Sequence, residues 1–159
     1  MSQVIQIPNI CEFMNRHLMD VFETMLTMRA VPKADFAKPY HEERVTGSIA
    51  FAGEHISGSV YLHLATPFAN QMATAMLGLG AENLRESDVN DVVGEVTNML
   101  TGGLKSWLCD SGADCAVGTP AIIRGTAFVI EPMPDVQRER LVFDCNHHRI
   151  VVEMHVKVS

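Results

Sequence analysis

The chain has no CxxC pair, and its four cysteines (Cys11, Cys109, Cys115 and Cys145) are scattered over 159 residues. That spacing excludes a disulfide-framed fold and offers no zinc pattern. It implies reduced, mostly buried thiols, a cytoplasmic setting and no metal site. Basic residues are scarce: 12 Lys and Arg stand against 19 Asp and Glu, for a net charge of −7. A phosphate backbone would repel such a chain, so nucleic acid is not an expected partner. No apolar run approaches the roughly 20 residues that span a bilayer, and no membrane partner is expected. The N-terminal MSQVIQIPNICEF lacks a basic start followed by an apolar segment, so no signal peptide is expected. Internal repeats and low-complexity stretches are also missing.

What is present is apolar. At 47% hydrophobic and 19% charged, the chain has the means to fold as one domain spanning residues 1–159. A chain of this length buries about 70% of the surface its unfolded form exposes.

Hydrophobic spacing predicts the elements in turn. Ile10, Phe13, Met14, Leu18, Val21, Phe22 and Met25 recur with helical period from Ile10 to about Met28. Asn9 and Glu12 resemble a capping box, and His17 lies on this run as a half-buried core-edge residue. Pro32 to Arg44 reads as an irregular connection. Val45–Ala52 and Ile56–Ala65 read as two strands joined at Gly53-Glu54-His55. His63 alternates with Leu62 and Leu64, which predicts a solvated outer-face residue. Thr66-Pro67 starts a helix, with Thr66 as cap, that stops at Gly78-Leu79-Gly80. Ser87 or Asn90 is expected to cap the long helix that follows. Cys109–Gly118 is expected as loop, and Ala121–Ile123 and Thr126–Ile130 as strand. Leu141–Cys145 and Ile150–Val158 are expected to form a terminal hairpin around Asn146-His147-His148. Clustered helices and hairpin-linked strands give an α+β fold, a mostly antiparallel β-sheet with helices packed on it.

One stretch, Ser87 to Trp107 (SDVNDVVGEVTNMLTGGLKSW), does more than bury itself. At about 100° per residue, Asp91, Glu95, Asn98, Gly102 and Lys105 share a wedge about 80° wide. Val89, Val92, Val93, Val96, Met99, Leu100, Leu104 and Trp107 lie opposite. A polar stripe on a surface helix is ordinary. Less ordinary are Asn98 in mid-helix and Gly94, Gly102 and Gly103 inside the helix, where each glycine costs about 1 kcal/mol against alanine. Gly103, facing the core side, is expected to allow close packing. Gly102 lies on the exposed wedge, where its missing side chain would let another backbone approach.

The pattern Asp91-x3-Glu95-x2-Asn98, followed by Pro120 after 21 intervening residues, resembles the signature of the CheC/CheX/FliY phosphatases of bacterial chemotaxis. The string GEVTNML-TGG is especially similar to CheX. GSIAFAGEHISGSVYLHLA and the segment ending MATAMLG resemble the family too, and the single motif copy is similar to CheX rather than CheC. The resemblance implies a hydrolase that removes the phosphoryl group from the aspartate of a CheY-like response-regulator receiver. It implies that Asn98 holds the attacking water, that Glu95 pairs with a receiver lysine, and that Asp91 and Pro120 support them. The magnesium ion would come with the receiver, so no cofactor of its own is implied. It also implies a homodimer, with an exposed edge such as Ile150–Val158 extending a sheet across two chains. The competing readings are a non-catalytic, CheC-like binding module for a signalling or flagellar-switch partner, and a stripe buried in an oligomer.

Overall fold

A hairpin organises the molecule. The structure is a computed structural model, and it describes residues 5–34 and 42–159. Strands β2 (Arg44–Gly53) and β3 (Ile56–Ala65) pair in antiparallel register from Arg44↔Ala65 to Ala52↔Ser57. Their inward residues, Val45, Ile49 and Phe51 on β2 and Val60, Leu62 and Leu64 on β3, are all buried. Helix α1 (Ile7–Leu26) precedes them, with the three-residue strand β1 (Val31–Lys33) between. Helix α2 (Thr66–Leu77) follows, ended by Gly78 in the left-handed region. After a short 3₁₀ turn at Ala81–Asn83 comes the longest element, α3 (Glu86–Asp110). The remainder is β4 (Cys115–Val117), β5 (Ala121–Gly125), β6 (Gln137–Cys145) and β7 (His148–Val158).

Among the described residues, seven strands form one antiparallel sheet in the order β1-β6-β7-β3-β2, with β4 and β5 both on the far side of β2. All three helices pack on one face. Between helices and sheet lies the core of Ile10, Met14, Phe22, Leu62, Phe68, Val93, Leu100, Phe143 and Met154. At Gly47 a side chain would strike Thr97, so this glycine lets α3 settle directly on β2. The architecture is the expected α+β one.

Several local expectations give way. Helix α1 starts at Ile7 behind Gln6, so Asn9 lies inside the helix and caps nothing. Ala65 rather than Thr66 occupies the cap position of α2. Helix α3 starts at Glu86, where the Asp88 carboxylate accepts the Arg85 N–H at 2.9 Å, so neither Ser87 nor Asn90 is the cap. It runs on to Asp110, and β4 lies in the stretch expected as loop. Part of the expected irregular connection is strand β1, and residues 35–41 lie outside the described set. Thr126–Ile130 is not a strand. Ala127, at φ 58°, turns the chain out of the ladder. Phe128 then folds back, its carbonyl accepting a hydrogen bond from Arg44 and its ring lying 3.7 Å from that guanidinium. The terminal hairpin forms as expected, with Asn146 and His147 both at positive φ. Yet β7 is an interior strand, paired by β6 and β3, so Ile150–Val158 offers no free edge to a second chain.

His63 is the largest correction. It does point away from the helices, but it is only 2% exposed. Its Nδ1 meets the Thr46 hydroxyl at 2.8 Å and its Nε2 meets Glu153 at 3.1 Å. Glu153, 3% exposed, is also held by His155 Nε2 at 2.6 Å and Arg138 Nε at 3.0 Å. Period-2 alternation identifies the face, but long side chains and the turn at Phe128 decide its wetness. Burial pushes the His63 pKa down and keeps the ring neutral. For Glu153, burial would raise the pKa, but hydrogen bonds from His63, His155 and Arg138 hold it at about 2.

Both shifts act in one direction. A depressed carboxylate stabilises the fold above its unfolded pKa and loses that contribution as pH falls through the folded value. A depressed histidine disfavours the fold once the unfolded ring protonates. Stability should therefore fall on acidification below about pH 6.5, and more steeply below about pH 4.5. Glu153→Ala should lower stability at neutral pH by about 1–3 kcal/mol, through unpaired buried donors, and should flatten the acid limb. Thermal unfolding followed from pH 2 to 8 checks both, and a variant with an unchanged limb below about pH 4.5 would contradict this account.

Candidate active site

Helix α3 has a buried back and an open front. Val89, Val92, Val93, Val96, Leu100, Leu104 and Leu108 are buried. Even its threonines turn inward, Thr97 and Thr101 each donating to a carbonyl one turn earlier, Val93 O at 2.7 Å and Thr97 O at 2.9 Å. A helix held this way cannot roll. Asp91, Glu95, Asn98 and Lys105 are consequently exposed along one line, with Gly102 half-exposed among them. Glu95 and Asn98 stand about 4.5 Å apart along the axis.

Different elements flank the two sides of this line. On one side runs the chain entering β5. Pro120 lies over Gly94, where a methyl group would meet its Cβ at 3.5 Å. Four residues on, the Arg124 guanidinium donates to Asn90 Oδ1 from Nε (3.1 Å) and Nη2 (2.8 Å), with Glu86 at 3.7 Å and Glu43 at 3.9 Å. Pro120 and Arg124 thus fasten β5 to α3 at two points. The family resemblance gave Pro120 a supporting role; it did not indicate that Gly94 receives it, nor that Arg124 joins Asn90.

On the other side lies α1. Trp107, Phe13 and His17 stack in a row, with ring centroids 5.4 and 5.2 Å apart. His17 Nε2 donates to Met99 O at 3.0 Å, and the imidazole fills the space left by Gly103. The histidine is half-buried, as its place on the helical run implied, and Gly103 is the close-packing glycine that its core-side position implied. The signal for the pairing is a glycine facing a helix that carries a lone aromatic-flanked histidine. Which of the two helices α3 meets there is not readable from sequence.

The exposed side chains form a ridge along the open front of α3. A cavity of about 300 Å³ lies near the N-terminus of α3, lined by Glu43, Asn70, Leu84, Arg85 and Arg124 among others. None of Asp91, Glu95 and Asn98 belongs to it. Small-molecule substrates are held in concave sites, so the ridge suits a surface that enters another macromolecule. Glu95 offers a charge-assisted hydrogen bond to a cation. Asn98 offers an uncharged donor and acceptor together. Among the described residues, no three His, Cys, Asp or Glu side chains converge to hold a metal ion, and no helix is long and apolar enough to cross a membrane.

Residues 45–146 match the family model described as "Chemotaxis phosphatase CheX". Among solved structures, the chain is similar to the chemotaxis protein CheX from Vibrio vulnificus, at 28% identity and a TM-score of 0.80, over 93% of this chain and 96% of that one. It is similar to a CheC-like superfamily protein from Shewanella sp. PV-4 at 26% identity and a TM-score of 0.81, over 96% and 99%. It shares its fold with the CheX of a CheX–CheY–BeF3–Mg2+ complex from Borrelia burgdorferi, at 17% identity and a TM-score of 0.76, over 98% and 99%. No curated protein sequence matches it.

The α1–α3 seam makes a direct demand on Gly103. A methyl group there overlaps the His17 imidazole, so Gly103→Ala must expel the ring and break its bond to Met99. The expected loss is about 1–3 kcal/mol of stability, despite the better helix propensity of alanine. Chemical denaturation measures it, and a stabilised variant would show that His17 does not clamp the two helices.

Proposed function

Because the chain belongs to the chemotaxis phosphatase CheX family, we propose that its α3 ridge docks a phosphorylated CheY-like receiver and speeds hydrolysis of the receiver's phospho-aspartate. One observation carries the reading: Glu95 and Asn98 are exposed within one turn of each other on a helix whose back is buried. In this mechanism Asn98 enters the receiver's pocket and holds a water in line with phosphorus. The water oxygen bonds to phosphorus as the bond to the acyl oxygen breaks. The products are inorganic phosphate and the free aspartate carboxylate. An amide suits the task because it orients water without repelling the phosphoryl oxygens. Phosphoryl transfer needs little covalent help, so positioning supplies most of the acceleration.

Glu95 pairs with a lysine of the receiver and sets the register of docking. Asp91, one turn toward the N-terminus, lies at the edge of the contact. Pro120 holds the chain entering β5 against Gly94. The magnesium ion belongs to the receiver in this reading. The structure of a relative solved as a CheX–CheY–BeF3–Mg2+ complex supports that partnership. The protein would act in the cytoplasm, as a homodimer whose contact uses some surface other than β7.

Asn98→Ala should leave unfolding unchanged within about 0.5 kcal/mol, as an exposed substitution, and cut the acceleration of receiver dephosphorylation roughly 10²-fold. Full activity in that variant would refute the role given to Asn98. Glu95→Lys should raise KM far more than it lowers kcat, and reversing the partner lysine to glutamate should restore docking. Light scattering at micromolar concentration should give a mass near twice the 17.5 kDa of one chain. A monomer would remove the dimer from this reading.

A further inference from the structure

Three glycines interrupt α3, and the structure accounts for two of them. Gly94 lies beneath Pro120, and Gly103 makes room for His17. Gly102 has no such neighbour: a Cβ built on it meets nothing within 4 Å. Nor does its backbone require glycine, since the described glycines with positive φ are Gly78 and Gly112. Glycine inside a helix is less favourable than alanine. At an open position with ordinary helical backbone, nothing among the described residues compensates for that.

Its place on the helix supplies a reason. Gly102 is four residues after Asn98, on the same face. Side chains on a helix tilt toward its N-terminus, so each covers the turn before its own Cα. A side chain at position 102 would lean over Asn98. The asparagine side chain is short, and its amide stands close to the helix surface. Only a partner that comes within backbone distance of α3 can receive it, and a side chain at position 102 would stand in the way. Lys105, exposed one turn farther on, bounds the bare patch on its C-terminal side.

We propose that Gly102 is a clearance residue: its missing side chain uncovers the Asn98 amide and seats a backbone segment of the receiver against α3. The proposal rests on the reading of α3 as a receiver-docking ridge. It assigns Gly102 a positioning role rather than a catalytic one. It also sets stability and activity in opposition at one site, which a purely structural glycine cannot do.

The test uses the full chain and a panel of CheY-type receivers phosphorylated with acetyl phosphate. Phosphate release is followed for wild type, Gly102→Ala, Gly102→Leu and Asn98→Ala, alongside Tm. Gly102→Ala should raise Tm by about 2–4 °C, from better helix propensity, yet slow release several-fold. Gly102→Leu should slow it roughly 10²-fold, the scale expected when reacting groups are displaced by about 1 Å. Wild-type release by both Gly102 variants, with Asn98→Ala impaired, would overturn the clearance role and leave Asn98 in place. A lowered Tm for Gly102→Ala would also overturn it, by showing an internal need for glycine. If wild type speeds release from no receiver, the docking reading fails and takes this proposal with it.

Discussion

The burial of the apolar back of α3 is the constraint on which the rest of the molecule depends. This helix packs against α1, α2 and four strands. Each fully buried valine or leucine is worth about 1.5–3 kcal/mol relative to exposure. Seven such side chains outweigh a sequence with three internal glycines and two threonines, which would make a poor helix in isolation. Gly47 on β2 brings the helix down onto the sheet, and the inward hydroxyls of Thr97 and Thr101 are satisfied within the helix itself. The orientation of the polar ridge follows from this seating rather than from any contact the ridge makes.

The two faces of the sheet are stabilised by different physics. Toward the helices the contacts are apolar, aliphatic and aromatic together. On the opposite face a cluster of Thr46, His63, Glu153, His155 and Arg138 is closed by hydrogen bonds and by Phe128 folded over Arg44. The run hydroxyl–imidazole–carboxylate in Thr46, His63 and Glu153 has the connectivity of a nucleophilic triad. All three are buried, however, so no substrate reaches the hydroxyl. Satisfied polar groups of this kind rigidify a sheet face and give it an acid-sensitive stability.

In the proposed reading, an exposed ridge on α3 is enough for an acidic chain of this size to serve a phosphoryl group held by its partner. In the proposed reading the pocket, the ion and the scissile bond all belong to the receiver. What α3 contributes is one amide, one carboxylate and the rigidity of a buried helix. Pro120 and Arg124 on one side, and the stack of Trp107, Phe13 and His17 on the other, brace the helix without covering its front. Sites on braced helices hold geometry better than sites on loops.

Much of this was legible along the chain, because periodicity is a local property. Helical spacing marked out α1 and α3, alternation marked β2 and β3, and the glycine stop of α2 and the left-handed turn at Asn146-His147 follow from single-residue conformational preferences. The α+β class and the line Asp91-Glu95-Asn98-Gly102 came from the same source, and the family resemblance attached chemistry to that line. The sequence could not show which neighbours each face would meet. His63 looked solvated because alternation reports a face and says nothing of what folds over it. Ile150–Val158 looked like an edge because strand order depends on pairings between residues far apart in the chain. Asn9, Ser87 and Asn90 looked like caps because helix ends depend on a turn or two of competing contacts. Gly94, Gly102 and Gly103 were alike in sequence as costs to a helix. Only the tertiary structure separated them, by placing a proline over one, a histidine over another and open space over Gly102.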